Sequence, residues 1–168
     1  LILNVWRNLY RSINRINSGI ERIDAMNSEQ IDEDLKNKYI GEHKFLRAML
    51  YFSLVSTWEN IPLILEESKS EDIGNFEVSQ SSAKEVYNQI IEDLLFAESV
   101  LDEVQGNGRA TKGAAQALLG KVYLQMTGSP LNETDKYSLA ANKLKSVINS
   151  GVYDLVSYYP DIFTVDYE

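Results

Sequence analysis

One histidine, no cysteine and several knots of carboxylates are the groups from which this chain of 168 residues would have to make chemistry. A metal site needs about three or four converging nitrogen, sulfur or carboxylate ligands, and His43 has no second imidazole or thiolate to join it. It lies one turn before Arg47 on the same predicted helix, so a structural role accounts for it. Among the carboxylates, Asp32-Glu33-Asp34, Glu66-Glu67 and Glu92-Asp93 stand bunched. Glycoside hydrolysis requires two carboxyl groups about 5 to 10 Å apart across a sugar. No spacing here points to such a pair, and solvated faces explain the knots better. No phosphate-binding glycine loop, dinucleotide fingerprint, GxSxG or HExxH occurs. Gly106 and Gly108 are a lone pair that a helix stop explains. Asn132-Glu133-Thr134, a formal glycosylation acceptor, already reads as a turn beside Pro130. With no nucleophile–base or metal set, an all-α enzyme is the disfavoured class, and no cofactor is expected.

Binding chemistry is better represented. There are ten tyrosines and two tryptophans, side chains with flat apolar faces and polar tips that stack on sugar rings. They also fill helical cores, which is the expectation for most of them. Trp58 and Phe76 are the exceptions, because they flank a long stretch without helical period. With Glu59 and Asn60 they are the candidate ligand contacts. The formal charge of −9 repels phosphate backbones, so nucleic acid is not an expected partner. The lack of cysteine excludes disulfides and thiolate sites from this stretch. No apolar run approaches the roughly 20 residues of a membrane span, and the start at Leu1 lacks a signal-peptide pattern. The expectation is a processed or cut piece of a longer protein.

The elements that must position these residues are helical. Val5, Leu9, Ile13, Ile16, Ile20 and Ile23 recur at steps of three and four, one face of a helix. A second helix is expected after Ser28 as N-cap, with Asp32, Glu33 and Asp34 favoured by the dipole in its early turns. Its later half, Phe45 to Val55, is apolar nearly all round, which predicts packing on several sides. Pro62 ends it. "IPLIL" reads as extended chain and the stretch to about residue 80 as a long surface loop, a length often tied to function. Ser82 to Glu85 fits a capping box opening a third helix through Val86, Ile90, Leu94, Ala97 and Leu101, stopped by the glycines near 106. Thr111 caps a fourth helix whose Ala114, Ala115, Ala117 and Gly120 let another axis come close. A fifth carries Tyr137, Ala140, Ala141, Leu144, Val147 and Ile148, with Gly151 past its end. The expected fold is all-α: about five main helices in tetratricopeptide-like hairpins, a right-handed α-α superhelix, with a long loop near 62–80. Leu119-Gly120 and Tyr123, then Ala140, Leu144 and Val147, echo that repeat, with a longer linker than it normally allows.

One stretch raises its own question. "GEHKFLRAMLYFSLVSTWENIPL", from Gly41 to Leu63, holds Glu42 and Arg47 inside the apolar helix. Five residues place them about 140° apart around the axis, so each is expected to reach a different neighbouring element. A buried guanidinium left unpaired is costly, so Arg47 is expected to bridge to carbonyls or a carboxylate, as structure rather than ligand contact.

This stretch resembles the signature of the SusD/RagB family, E-x-[RK]-F-L-R-A-x-x-Y-F-x-L followed by an aromatic and a Val-Pro-Leu turn. Glu42, Lys44, Phe45, Leu46, Arg47, Ala48, Tyr51, Phe52 and Leu54 fall on the pattern, and Ile61-Pro62-Leu63 on the turn. "SSAKEVYNQIIEDLLFAESVL", "GRATKGAAQALLGKVYLQM" and "KLKSVINSGVYDLVSYYPDIF" are similar to three further family segments, in order. The resemblance spans about residues 1 to 163. It implies a nutrient-binding lipoprotein at the outer-membrane surface of Bacteroidetes, taking oligosaccharide or another nutrient. It implies a helical scaffold against a SusC-like TonB-dependent transporter. Residues 1–168 would be a single helical domain of a longer protein, whose lipid anchor lies before Leu1 and whose second half lies after Glu168. Where the family carries a glycine after the aromatic, this chain has Glu59, so a wider turn or a solvent-facing aromatic is expected. The rival reading is a helical-repeat adaptor that binds another protein and no small ligand.

Overall fold

The computed structural model describes residues 2–69, 78–104, 106 and 108–163. Five α-helices follow one another: α1 (Ile2–Asp24), α2 (Glu33–Trp58), α3 (Ala83–Val100), α4 (Lys112–Met126) and α5 (Lys136–Asn149), with a 3-10 turn at Tyr159–Phe163. Among the described residues there is no β-strand, only one antiparallel bridge between Ile61 and Ser81. The all-α, tetratricopeptide-like architecture expected from periodicity and resemblance is therefore the one observed.

Local chemistry sets most boundaries. Ser82 and Glu85 form the capping box that opens α3, and the Thr111 hydroxyl accepts from Ala114 N–H to open α4. Two boundaries differ from expectation. The N-cap of α2 is Asp32, not Ser28: its carboxylate accepts from the amides of Asp34 and Leu35. Ser28 is spent in a turn made by Asn27, whose side chain accepts from Glu29 N–H and whose carbonyl accepts from Gln30 N–H. α3 stops at Val100, before the glycines, because Leu101 turns to an extended conformation and Asp102 O accepts from Lys112 N–H.

Each helix runs antiparallel to the next. Trp6 and Gly19 of α1 meet Trp58 and His43 of α2, and Phe52 and Arg47 of α2 meet Tyr87 and Asp93 of α3. Glu98 of α3 meets Gln116 of α4, and Gly120 of α4 meets Leu144 of α5. The small face of α4 allows a close approach: a Cβ on Gly120 would sit 2.6 Å from Leu144 Cγ. The core is centred on α2 and α3, with Tyr51, Leu54, Val86, Ile90 and Leu94 buried beside Ile13, Leu119 and Met126. His43 is structural, with Nδ1 2.8 Å from Tyr39 O and its ring filling the space a Cβ on Gly19 would need.

Two apolar faces are less covered than their patterns predict. α1 and α3 flank α2, yet Leu46 and Met49 remain about two-fifths exposed. Leu46 is thus not part of the buried motif, while Phe45 is packed against the core from its edge. On α5 only Ala140 is buried, and Tyr137, Leu144 and Ile148 stay exposed. α4 covers one side of α5, and its stripe is wider than that side.

Candidate functional site

The segment after α2 is the part of the chain that is held most deliberately. It is extended, as "IPLIL" predicted, but among the described residues no sheet receives it. Side chains catch its carbonyls instead. Tyr10 donates to Pro62 O at 2.7 Å, Tyr51 to Ile64 O at 2.7 Å, and Arg47 Nη1 to Leu65 O at 3.2 Å. The Asn17 amide donates to both Ile64 O and Glu66 O, and Asn14 exchanges a pair of bonds with the Ser68 backbone. Ile64 N–H donates back to the Tyr51 hydroxyl at 2.8 Å. Buried backbone polar groups must find partners, and α1 and α2 supply them here.

Arg47 is the hub. Its Nε and Nη2 donate to the two Asp93 oxygens at 2.7 and 2.8 Å, a bidentate pair, and Nη1 also donates to Asn17 Oδ1 at 3.0 Å. Gln89 donates to Asp93 as well. Arg47, Asp93 and Asn17 are all buried, and no buried side-chain polar atom lacks a partner among the described residues. Glu42 turns the other way and takes a bidentate pair from Arg109, just before α4. Glu42 and Arg47 therefore reach different neighbours, as their 140° separation requires. Burial pushes the Tyr51 hydroxyl up to about 12, with the Ile64 backbone bond and Arg47 pulling the other way and Asp93 adding to the rise. Tyr10 is also raised, by burial first and by neighbouring Tyr51 second.

Asn17 and Asp93 carry this network, and neither residue stood out as functional in the sequence. The expectation of a solvated knot at Glu92-Asp93 is corrected: Asp93 is fully buried. The signal was present, since Asp93 lies three residues after Ile90 and seven after Val86, on the core stripe of α3. Asn17 lies likewise four residues after Ile13.

The candidate ligand contacts sit where α2 ends. Trp58 is half-buried and meets Trp6 edge-on, with centroids 5.1 Å apart, while Trp6 tilts against Tyr10 at 4.9 Å. Trp58 also lines an apolar groove of about 520 Å³ with Ile2, Val5, Leu9 and Thr57. The Asn60 side-chain oxygen accepts from Ala83 N–H at the start of α3, so it closes the loop base together with the Ile61–Ser81 bridge. Glu59 is exposed and adjoins both. Phe76 lies outside the described residues. Trp58, Glu59 and Asn60 are thus contiguous and braced from below, with Tyr51 and Pro62 in the same buttress. Among the described residues no group of three or more potential ligands could hold a metal ion, and no helix is long and apolar enough to cross a membrane.

Glu59 answers the missing glycine. It adopts φ 60° and ψ −92°, a left-side conformation that glycine tolerates and other residues resist. Backbone outliers of this kind cost about 1–3 kcal/mol. Glu59→Gly is therefore expected to raise stability by about 1 kcal/mol after the entropy of a freer unfolded chain is subtracted. Urea denaturation checks it, and a midpoint equal to or below the parent's rules the strain out.

Known proteins place this arrangement in context. A SusD-like family model, described as starch-binding and associating with the outer membrane, matches residues 1–124. A SusD-like protein of Bacteroides ovatus is 30% identical over 161 residues, covering 94% of this chain and 29% of its own length. The crystal structure of a SusD superfamily protein from Parabacteroides distasonis superposes with a TM-score of 0.88 at 34% identity, over 96% of this chain and 34% of that one. A laminarin-binding SusD-like protein superposes with a TM-score of 0.74 at 29% identity, over 96% of this chain and 34% of that one. This chain spans about a third of the length of the relatives it matches.

Proposed function

We propose that this chain, which belongs to the SusD-like family, is the helical part of a longer nutrient-binding protein that captures glycan at the outer-membrane surface and delivers it to a TonB-dependent transporter. The observation that carries the reading is the match of the whole helical ladder to SusD-type structures at about one-third identity. The laminarin-binding relative supports sugar as the ligand class. The uncovered apolar face of α5 supports further protein packing there. In this reading the protein transforms nothing. Arg47, Asp93, Asn17 and Tyr51 hold the post-α2 segment, and the segment holds Trp58, Glu59 and Asn60 at the surface. Trp58 offers the stacking face, and Glu59 offers carboxylate oxygens to sugar hydroxyls.

Trp58→Leu tests the site. It keeps apolar bulk against Trp6 but removes the ring. Titration of the full-length protein with a glycan selected from an oligosaccharide array is expected to show at least tenfold weaker binding, about 1.4 kcal/mol, with unchanged helical circular dichroism. Equal affinity would move the site off this segment. A full-length protein that retains no glycan on the array would overturn the reading in favour of a protein-binding adaptor. Copurification of a TonB-dependent transporter from outer membranes checks the partner.

A further inference from the structure

A second groove, of about 610 Å³, lies on the opposite flank of α1 and is lined by Trp6, Tyr10, Asn14, Ser68 and three arginines, Arg7, Arg11 and Arg15. We propose that this groove binds an anionic oligosaccharide, one bearing carboxylate or sulfate groups on its sugar residues. The inference rests on the glycan-capture reading and names a substrate class for it.

Charge is the first argument. The chain carries −9 overall, yet α1 has no acidic residue before Glu21. Arg7, Arg11 and Arg15 recur every four residues, so their side chains line one face of the helix at a rise of about 6 Å each. All three are exposed, and none has an ion-pair partner among the described residues. Arg22, further along the same helix, does have one, Glu67 at 3.4 Å. Like charges at this spacing repel, and no ion pair among the described residues neutralises them. A bound anion would.

Shape is the second argument. The volume falls in the range of small-ligand sites. The Trp6 and Tyr10 rings form its wall beside the guanidiniums, which combines a face for a sugar ring with planar donors suited to carboxylate or sulfate. Tyr10, Asn14 and Ser68 are fixed by the bonds that hold the post-α2 segment, so the groove is preformed. A membrane surface fits less well. Basic residues that dock on lipid flank apolar ones that insert, whereas the exposed Ile2 and Val5 belong to the separate groove beside Trp58.

The test is calorimetric titration of the full-length protein with oligogalacturonate and sulfated galactan oligosaccharides, against neutral β-glucan and xylan oligosaccharides of equal length. Binding of one anionic series is expected to exceed that of every neutral series at least tenfold and to weaken as salt rises. The combined variant Arg7→Gln, Arg11→Gln, Arg15→Gln is expected to lose that preference and keep the parent melting temperature, since glutamine is a good helix former. Lys145→Gln is expected to change nothing. Neutral sugars bound as well as anionic ones, or an anionic preference that survives the triple variant, would overturn the inference and leave glycan capture standing. Binding of an acidic peptide or anionic phospholipid vesicles through the arginines, with no sugar of either kind bound, would overturn both. Trp58→Leu separates the grooves: it lowers affinity for the glycan held at the end of α2 and leaves the ratio of anionic to neutral binding in this groove intact.

Discussion

Arg47→Ala is expected to remove about 3–5 kcal/mol of folding stability, the usual cost of breaking a buried ion pair from one side. The substitution strands Asp93, fully buried, with Gln89 as its remaining side-chain donor. It also removes the donor to Leu65 O and one to Asn17 Oδ1, loosening α1 and the post-α2 segment together. The loss therefore spreads over three elements, which is more than the two-residue pair would cost alone. Denaturant unfolding measures it. Arg47→Met with Asp93→Leu should recover part of the loss, because it leaves no buried charge stranded, while Leu65 O, Asn17 Oδ1 and the Gln89 amide still each lose a partner. Glycan affinity of the folded full-length variant should fall far less than its stability, because in this reading Arg47 touches no ligand. A variant as stable as the parent that had lost its ligand would make Arg47 a ligand contact instead of a brace.

The same network shows where reading a sequence succeeds. Caps are local, so Ser82 with Glu85 and Thr111 with Ala114 could be read within one turn. Arg47's need for a partner was equally legible, because charge in an apolar helix demands one. The partner's identity was not, since Asp93 is 46 residues away and only packing brings them together. Asp32 displaced Ser28 as the cap of α2 for a related reason: two good cappers compete within a few residues, and the turn made by Asn27 decides. The width of α5's apolar stripe was readable, but how much of it α4 covers was not. That the arginines of α1 lie off its apolar face follows from their spacing, but nothing local shows what they line. Their groove exists because Ser68 and Ile64 are folded back against α1 by contacts more than 45 residues apart in sequence.

Raising the pH exposes the other half of the brace. Tyr51 in the folded protein ionises at about 12, against the ordinary value of 10.0, chiefly because it is buried. Between those values the unfolded chain holds fewer protons than the folded one. Stability therefore falls with rising pH across that window, and the Tyr51 contribution is fully present below the lower value. A rise of that size corresponds to roughly 3 kcal/mol lost by the top of the window. Tyr10 acts in the same direction for the same main reason. The structural cause is specific: a tyrosinate at position 51 could no longer donate to Ile64 O, and that bond anchors the segment carrying the candidate site. Tyr51→Phe separates the two effects. Near neutral pH it should cost about 1–3 kcal/mol, since Ile64 N–H loses its acceptor and Ile64 O one of its donors. Its stability should then decline less steeply with alkali, so that variant and parent converge at the top of the window. Urea titrations at stepped pH measure both curves. Parallel curves for parent and variant would mean that the Tyr51 hydroxyl does not hold the segment.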